Sequence, residues 1–407
     1  MQMRAKKRWE DQTLSGIGRL KARASFFTDS AERVSLNGNW AFKYLTAPEY
    51  SPQGFERGDY DTADWDSIEV PSCWQLKGYD HMHYTDVLYL FPLTPPYVPT
   101  ENPTGIYKRN FEISREWLEN QTILRFEGVD SAYDVWVNGA HVGYSKVSRL
   151  PAEFNISSYI KEGENHVAVR VYKWSDGTYL EDQDMWWFSG IYRNVSLLNV
   201  PVHRIEDCRV HADLDDTYTK GCLEADVRLS CESGTLEWSL TDREGHEAAA
   251  GSVPAAGQVK ISAELENVHT WTAETPYLYT LNLSLKDGQQ EHRVSIRTGF
   301  RRIEVKGNVF TVNGKAILIN GVNHHDYSPE GGRTVDPEVM RQDIILMKQN
   351  NINAVRFSHY PSIEAIYDYC DEYGLYVIDE ADLECHGFEW TGNYKWISDD
   401  PSWKHAP

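Results

Sequence analysis

No run of this 407-residue chain approaches the 18 consecutive apolar residues that a membrane-spanning helix needs, and residues 1–27 are basic and polar, without the apolar centre of a secretion signal. The expected protein is soluble and cytoplasmic, with no membrane partner. Cysteine is sparse. Cys73, Cys208, Cys222, Cys231, Cys370 and Cys385 show neither a paired nor a metal-binding spacing, so free thiols in a reducing compartment are expected. Positive charge is short as well: 40 Lys and Arg stand against 61 Asp and Glu, a net charge of −21. Nucleic acid is thereby excluded as a partner, because its phosphates demand a basic surface. Internal repeats and low-complexity tracts are absent too.

Aromatic residues are plentiful, 13% of the chain with 14 Trp and 24 Tyr. Carbohydrate sites use flat aromatic faces, but most of these rings are assigned to β-sandwich cores. The length suits about three domains. Residues 1–34 have no clear period and are expected to lie as an extended arm on the domains. From Leu36 the pattern is β. Asn37-Gly38 and Asn138-Gly139 are hairpin-turn signals, the second between Tyr133, Val135, Val137 and Val142, Tyr144. Val167, Val169 and Val171 recur at the strand period. Many short strands with long loops predict a β jelly-roll sandwich over 35–201. Two of its loops are dense in polar and aromatic residues: His83-Tyr84-Thr85-Asp86, and Tyr179-Leu180-Glu181-Asp182-Gln183-Asp184-Met185-Trp186. Turn hydrogen bonding and ligand contact are both open to Asp182 and Asp184. Over 202–300, alternation at Leu223, Val227, Leu229 and at Leu281, Leu283, Leu285 predicts an immunoglobulin-like β-sandwich. Its turns at Asp215-Asp216-Thr217, Gly251 and Gly257 carry no chemistry, and it reads as a spacer.

Residues 301–407 change period. After a hairpin turn at Gly314, three apolar segments each run up to a polar cluster: Ile317 to His325, Asn353 to His359, and Leu375 to His386. Each reads as a buried strand ending in ionisable groups. Asp336-Pro337-Glu338 is an N-cap, a first-turn proline and an acid, followed by Val339, Met340, Ile344 and Met347 on one helical stripe. Ser362 can cap a second helix through Ile363, Ile366 and Tyr369, closed by Gly374. Strand, helix, strand, helix, strand indicates a parallel sheet covered on both faces, where chemistry collects at the carboxyl ends of strands. His325, His359, Glu384 and His386 sit there. In an extended strand Glu384 and His386 would point to one side, a spacing suited to chelating one cation, with Cys385 on the other face and Glu380 and Asp382 sharing the first. Hydrogen-bonded caps of strand ends are the alternative.

Gly321-Val322-Asn323-His324-His325, the run Asn353 to Pro361, and the run Asp379 to Gly387 resemble the start of the catalytic barrel of large bacterial β-galactosidases, glycoside hydrolase family 2. The two loops above, with Val98-Pro99-Thr100-Glu101-Asn102-Pro103-Thr104-Gly105, are similar to the sugar-binding domain of the same family. The resemblance implies retaining hydrolysis of terminal β-D-galactosides such as lactose. It assigns substrate contacts to Asp86, Asp184, His325 and His359, magnesium to Glu384 and His386, and a monovalent cation, sodium or potassium, to Asp184. Asp86 departs from relatives that carry asparagine, since a carboxylate accepts from sugar hydroxyls but cannot donate as an amide does. A complete barrel has eight strand–helix units, and this chain offers the first part of an incomplete (β/α)8 barrel. The family's two catalytic glutamates lie on later strands, so no catalytic residue is expected here, and the carboxylates Glu380, Asp382 and Glu384 are assigned to metal binding and site support. The chain alone is expected to be inactive and prone to aggregate unless a complementing chain completes it; the full-length enzyme is expected to be a homo-oligomer. The alternatives are a carbohydrate-binding or complementing subunit, or a related β-glucuronidase or β-mannosidase. Asp86, Asp182 and Asp184 disfavour glucuronate on electrostatic grounds.

Overall fold

The computed structural model of the protein describes residues 5–23 and 32–404; residues 1–4 and 24–31 of the expected arm, and 405–407, lie outside the described residues. The first sandwich packs two antiparallel sheets. One runs, in spatial order, Gly16–Ile17, Ala140–Lys146, Ala132–Val137, Gly163–Tyr172, Thr104–Ile113, Gly38–Leu45, Asp66–Val70; the other runs Ala152–Asn155, Gln121–Phe126, Val195–Val200, Glu32–Ser35. Trp40, Phe42, Tyr107, Leu124, Phe126, Val135, Phe154, Val169 and Leu197 fill the space between them. Asn138 (φ 50°) and Gly139 (φ 82°) form the expected tight hairpin, both left-handed as such a turn requires. Asn37-Gly38 is a different object. The strands on either side of it belong to different sheets, and the Asn37 side chain holds Asn194 and the Val195 amide, so the dipeptide carries the chain between layers. Residues 5–23 of the arm lie on this sandwich, with Trp9 stacked on Tyr172 at 4.3 Å between centroids and Gly16–Ile17 paired with Tyr144 and Ser145, while residues 32–34, also assigned to the arm, belong to the strand Glu32–Ser35 of the second sheet.

The second sandwich sets Ile205–Leu214, Gly221–Leu229 and Gln258–Leu265 against Glu247–Pro254, Thr235–Thr241, Tyr279–Asp287 and Gln290–Thr298. Leu223, Val227, Leu229, Leu281, Leu283 and Leu285 are all buried in its core. Gly251 is not a turn. It sits mid-strand opposite Trp238, where a Cβ would lie 2.9 Å from the indole, so glycine is there for close packing. After a meander with Asn313 and Gly314 at the tight turn between Val309–Val312 and Lys315–Ala316, three parallel strands follow: Gly321–His324, Ala354–Phe357 and Tyr376–Ile378.

Helix α1 (Pro337–Gln349) and helix α2 (Glu364–Tyr373) connect them. Asp336 caps α1 by accepting from the Glu338 amide, and Met340, Ile344 and Met347 pack on Val355, Phe357, Ile366 and Leu375. Val339, expected on the apolar stripe, faces outward and is 44% exposed. The expected Ser362 cap of α2 is also corrected: Ile363 holds the cap position, and Asp326 from the preceding strand–helix connection accepts from the Ile363 amide and the Ser362 hydroxyl. Gly374 (φ 83°) closes α2 in the left-handed conformation. The middle strand comes nearest to the expected burial, with Ala354, Val355 and Phe357 buried and Arg356 partly exposed. In the first segment pairing starts at Gly321, leaving Ile319 and Val322 exposed and Leu318 83% exposed, because among the described residues this strand has a neighbour on one side alone. The molecule is thus a jelly-roll sandwich, an immunoglobulin-like sandwich and an incomplete barrel. All six cysteines are free, and no helix among the described residues is long and apolar enough to cross a membrane.

Candidate functional site

Parallel strands in register deliver their following residues to one edge, and here that edge carries the two histidines. His325 and His359 meet with ring centroids 6.0 Å apart at 83°. The Tyr360 hydroxyl lies 3.2 Å from His325 Nδ1 and accepts from the Asp326 amide. Burial, reinforced by the nearby His359, lowers the pKa of His325, so its imidazole is neutral at pH 7. His359 Nδ1 lies 2.8 Å from Glu380, whose other oxygen accepts from Arg356. Burial works to raise the Glu380 carboxyl, but the bonds from Arg356 and His359 outweigh it and hold the group below its usual range. A carboxylate on Nδ1 orients the ring and frees Nε2 for another partner.

The loop Leu180–Asp184 of the first sandwich is stitched to this edge through its backbone. Glu384 N donates to Leu180 O (2.6 Å) and Asp182 N donates to Glu384 O (3.0 Å), a one-residue parallel bridge. The fully buried Asp182 carboxyl accepts from the Gly387 amide at 2.9 Å, and burial pushes its pKa up to about 8. Its role is therefore to hold backbone. Gln183 Nε2 donates to Asp382 (3.0 Å) and reaches the His359 carbonyl (3.5 Å). Asp184 alone turns outward, exposed, and accepts from the Tyr84 hydroxyl at 2.6 Å; Tyr84 in turn lies 5.7 Å from the Trp186 ring. The two loops singled out from the sequence are thus neighbours. Asp86 follows Tyr84 in the first of them, exposed and with left-handed backbone (φ 56°).

The third segment departs from expectation. Its strand stops at Ile378, so Glu380, Asp382 and Glu384 do not share one extended face. Glu380 binds Arg356 and His359, Asp382 binds Arg149 and Gln183, and Glu384 is drawn to the sandwich loop. The backbone bonds that a longer strand would make to a neighbour are made to Leu180 and Asp182 instead. His386 opens a 3-10 turn, His386–Thr391, with Nε2 3.0 Å from Glu389. Glu384 and His386 are therefore not presented by strand alternation. His386 is paired with Glu389, and Glu384, His386 and Glu389 do not form a close three-residue ligand group among the described residues.

Sequence spacing gave no sign of the buried polar layer that joins the lobes. Arg149, 1% exposed, donates to Asp382 (2.8 Å), lies 3.9 Å from Glu181 and covers the Tyr360 ring at 4.4 Å. Burial opposes its charge, but Asp382 and Glu181 win and raise its pKa. Arg193 donates to Asp326 (3.1 Å), the Pro361 carbonyl (3.0 Å) and the Arg149 carbonyl (2.7 Å); Arg333 binds Asp130 and the Trp186 carbonyl. An arginine directly after the apolar Ile191-Tyr192 was the one available signal.

Comparison with known proteins agrees with this architecture. Residues 34–201 match the glycosyl hydrolases family 2 sugar binding domain, 203–301 match the glycosyl hydrolases family 2 domain, and 303–407 match the family 2 TIM barrel domain. The β-galactosidases of Vibrio vulnificus strains YJ016 and CMCP6 are 43% and 42% identical over 98% of this chain, which spans 41% of their length. Among solved structures, the Bifidobacterium dentium β-glucuronidase complexed with coumarin-3-O-glucuronide has a TM-score of 0.75 at 23% identity, covering 87% of this chain and 62% of that one. The Lactobacillus rhamnosus β-glucuronidase has a TM-score of 0.74 at 26% identity, covering 93% and 62%. With three successive domains matched in the family's order, and the same three folds in the structure, the chain belongs to glycosyl hydrolase family 2.

Proposed function

We propose that this chain is the sugar-binding and barrel-starting portion of a retaining β-galactosidase that acts on terminal β-D-galactosides such as lactose in the cytoplasm, and that by itself it does not turn substrate over. The observation that carries this reading is the 6.0 Å approach of His325 and His359 beside a loop that projects Asp184. The 43% identity to β-galactosidases, against 23% and 26% to the two β-glucuronidases, supports the galactoside over the glucuronide. Exposed carboxylates at Asp86 and Asp184 would also repel a uronate.

A neutral His325 can donate to and accept from sugar hydroxyls without a charge penalty, and Glu380 braces His359 for the same task. Asp184 and Asp86 would accept from hydroxyls. Retention needs two carboxyl groups about 5 Å apart, one as acid and base and the other as nucleophile. Glu380 and Asp382 are each committed to an arginine, which supports placing that pair outside this chain. Glu384 and His386 would hold magnesium and Asp184 would bind sodium or potassium; when bound, these ions supply positive charge to the site. Exposed Leu318, Ile319 and Val322 offer an edge on which further barrel strands, from a longer polypeptide or a complementing chain, would pair, and the complete enzyme would be a homo-oligomer.

The test is twofold. Purified chain incubated with a chromogenic β-galactoside should release no chromophore above a blank, and turnover would overturn the inactive assignment. Calorimetry with galactose should show weak binding that His359→Ala lowers at least tenfold; no binding by the intact chain would remove the sugar-binding assignment.

A further inference from the structure

Three segments distant in the chain meet at one end of the second sandwich. His203 lies in the connector between Val195–Val200 of the first sandwich and Ile205–Leu214 of the second, Cys231 follows Gly221–Leu229, and Asp287 ends Tyr279–Asp287. One ligand atom from each, an imidazole nitrogen, a sulfur and a carboxylate oxygen, all lie within 4.8 Å of one another. Among the described residues this is the one group of three such side chains so close together.

The backbone around the group is fixed. Ser230 N donates to Arg204 O (3.0 Å), Arg204 N donates to the Ser230 hydroxyl (2.8 Å), and that hydroxyl donates to Val202 O (2.7 Å), tying the connector to the turn that carries Cys231. Gly234 (φ 96°) lies so close to the end of Tyr279–Asp287 that a Cβ would sit 2.4 Å from Lys286 O, so glycine is what lets this turn reach Asp287. The Ser233 hydroxyl donates to Asp287 Oδ2 at 2.9 Å, and His203 Nδ1 bonds the same carboxylate. Cys231 is buried, while the side chains of His203 and Asp287 are 39% and 20% exposed. The sulfur is inside and the other two donors face an open approach.

We propose that His203, Cys231 and Asp287 form a zinc-binding site, with water as the fourth ligand, that fastens the inter-sandwich connector to the immunoglobulin-like sandwich. Thiolate, imidazole and carboxylate together match the donor preferences of Zn²⁺ and not those of magnesium or calcium, which take oxygen. Zinc bonds of about 2.0–2.3 Å at tetrahedral angles put ligand atoms roughly 3.4–3.8 Å apart. To take the ion, the wider separations, at most 4.8 Å, would close by up to about 1 Å while the hydrogen-bonded His203 Nδ1 and Asp287 oxygen move apart to admit it, changes within reach of side-chain rotation. Ser233 is placed to orient the Asp287 carboxylate, as outer partners of metal ligands do.

The experiment uses the full chain, stripped with EDTA, dialysed into magnesium-containing buffer and titrated with zinc chloride by calorimetry, with cobalt substitution read by absorption. One zinc per chain is expected, together with an intense thiolate-to-cobalt charge-transfer band. Cys231→Ser should abolish the band, His203→Gln and Asp287→Asn should weaken zinc binding at least tenfold, and Cys222→Ser should change neither. If Cys231→Ser fails to fold, the two partly exposed positions give the same reading. Absence of stoichiometric zinc in the unsubstituted chain, or binding undiminished by His203→Gln and Asp287→Asn, would overturn the site.

Discussion

Replacing Arg149 by methionine keeps most of the buried stem and removes the guanidinium, leaving Asp382 and Glu181 facing each other in the layer between the first sandwich and the barrel strands. Removing one partner of a buried ion pair costs about 3–5 kcal/mol, and the lost contact with the Tyr360 face adds about 1 kcal/mol. Protonation limits that cost. Burial raises the pKa of both acids, with the Asp382 charge raising Glu181 further, and without Arg149 both rise more. A carboxyl whose folded pKa is raised contributes stability that is complete below its ordinary range and is lost as pH rises through the folded value, at about 1.4 kcal/mol per unit. The deficit of Arg149→Met should therefore be largest near pH 8 and shrink to about 1 kcal/mol near pH 5. Three modules do not unfold in one transition, so the readout is native-state hydrogen exchange of the amides of residues 376–390. Adding Glu181→Gln and Asp382→Asn to Arg149→Met should recover most of the loss. A deficit that does not change with pH, or a triple variant as labile as the single one, would refute the reasoning.

Glu153 should govern the acid limb of the first sandwich. Burial raises its carboxyl, but Arg23 and Arg125, bonded at 2.7–2.9 Å, bring it down to about 2. A depressed carboxyl stabilises above its ordinary value and loses that contribution as pH falls through the folded value. Roughly 3 kcal/mol should disappear between pH 4.5 and 2, and Glu153→Gln should flatten this slope in circular-dichroism melts. Gly374→Ala should destabilise the barrel strands by 2 kcal/mol or more at any pH, on the order of the left-handed penalty plus a steric clash. The residue has φ 83° and its Cβ would lie 2.4 Å from Ala273 O; urea titration followed by tryptophan emission measures the loss.

What the sequence made legible was local or set by topology. The Asn138-Gly139 turn, the Asp336 cap and the Leu281–Leu283–Leu285 alternation each depend on a few adjacent residues, and each forms as read. His325 and His359 could be paired in advance because successive parallel strands bring their ends together whatever lies between. The failures are non-local. Asn37-Gly38 has turn chemistry, yet the sheet to which each flank belongs is decided by distant partners, Ser196–Asn199 for the strand before it and Asp66–Val70 with Thr104–Lys108 for the strand after it. Gly251 looks like punctuation until Trp238 is set across from it. Residues 379–386 carry a plausible strand pattern, but the sandwich loop captures their backbone first. Arg149, Arg193 and Arg333 find partners 133 to 233 residues away or across the lobe boundary, and no periodicity encodes such a pairing.

The single bridge between Glu181 and Glu384 has a consequence for anyone recombining modules among relatives. It means that the first sandwich is grafted through main chain as well as through the buried arginines, so a one-residue insertion between Leu180 and Gln183 would break the seam even with every side chain there unchanged. A chimera whose donor loop differs in length there would misplace Asp184 and unmoor the segment bearing Glu384 at the same stroke.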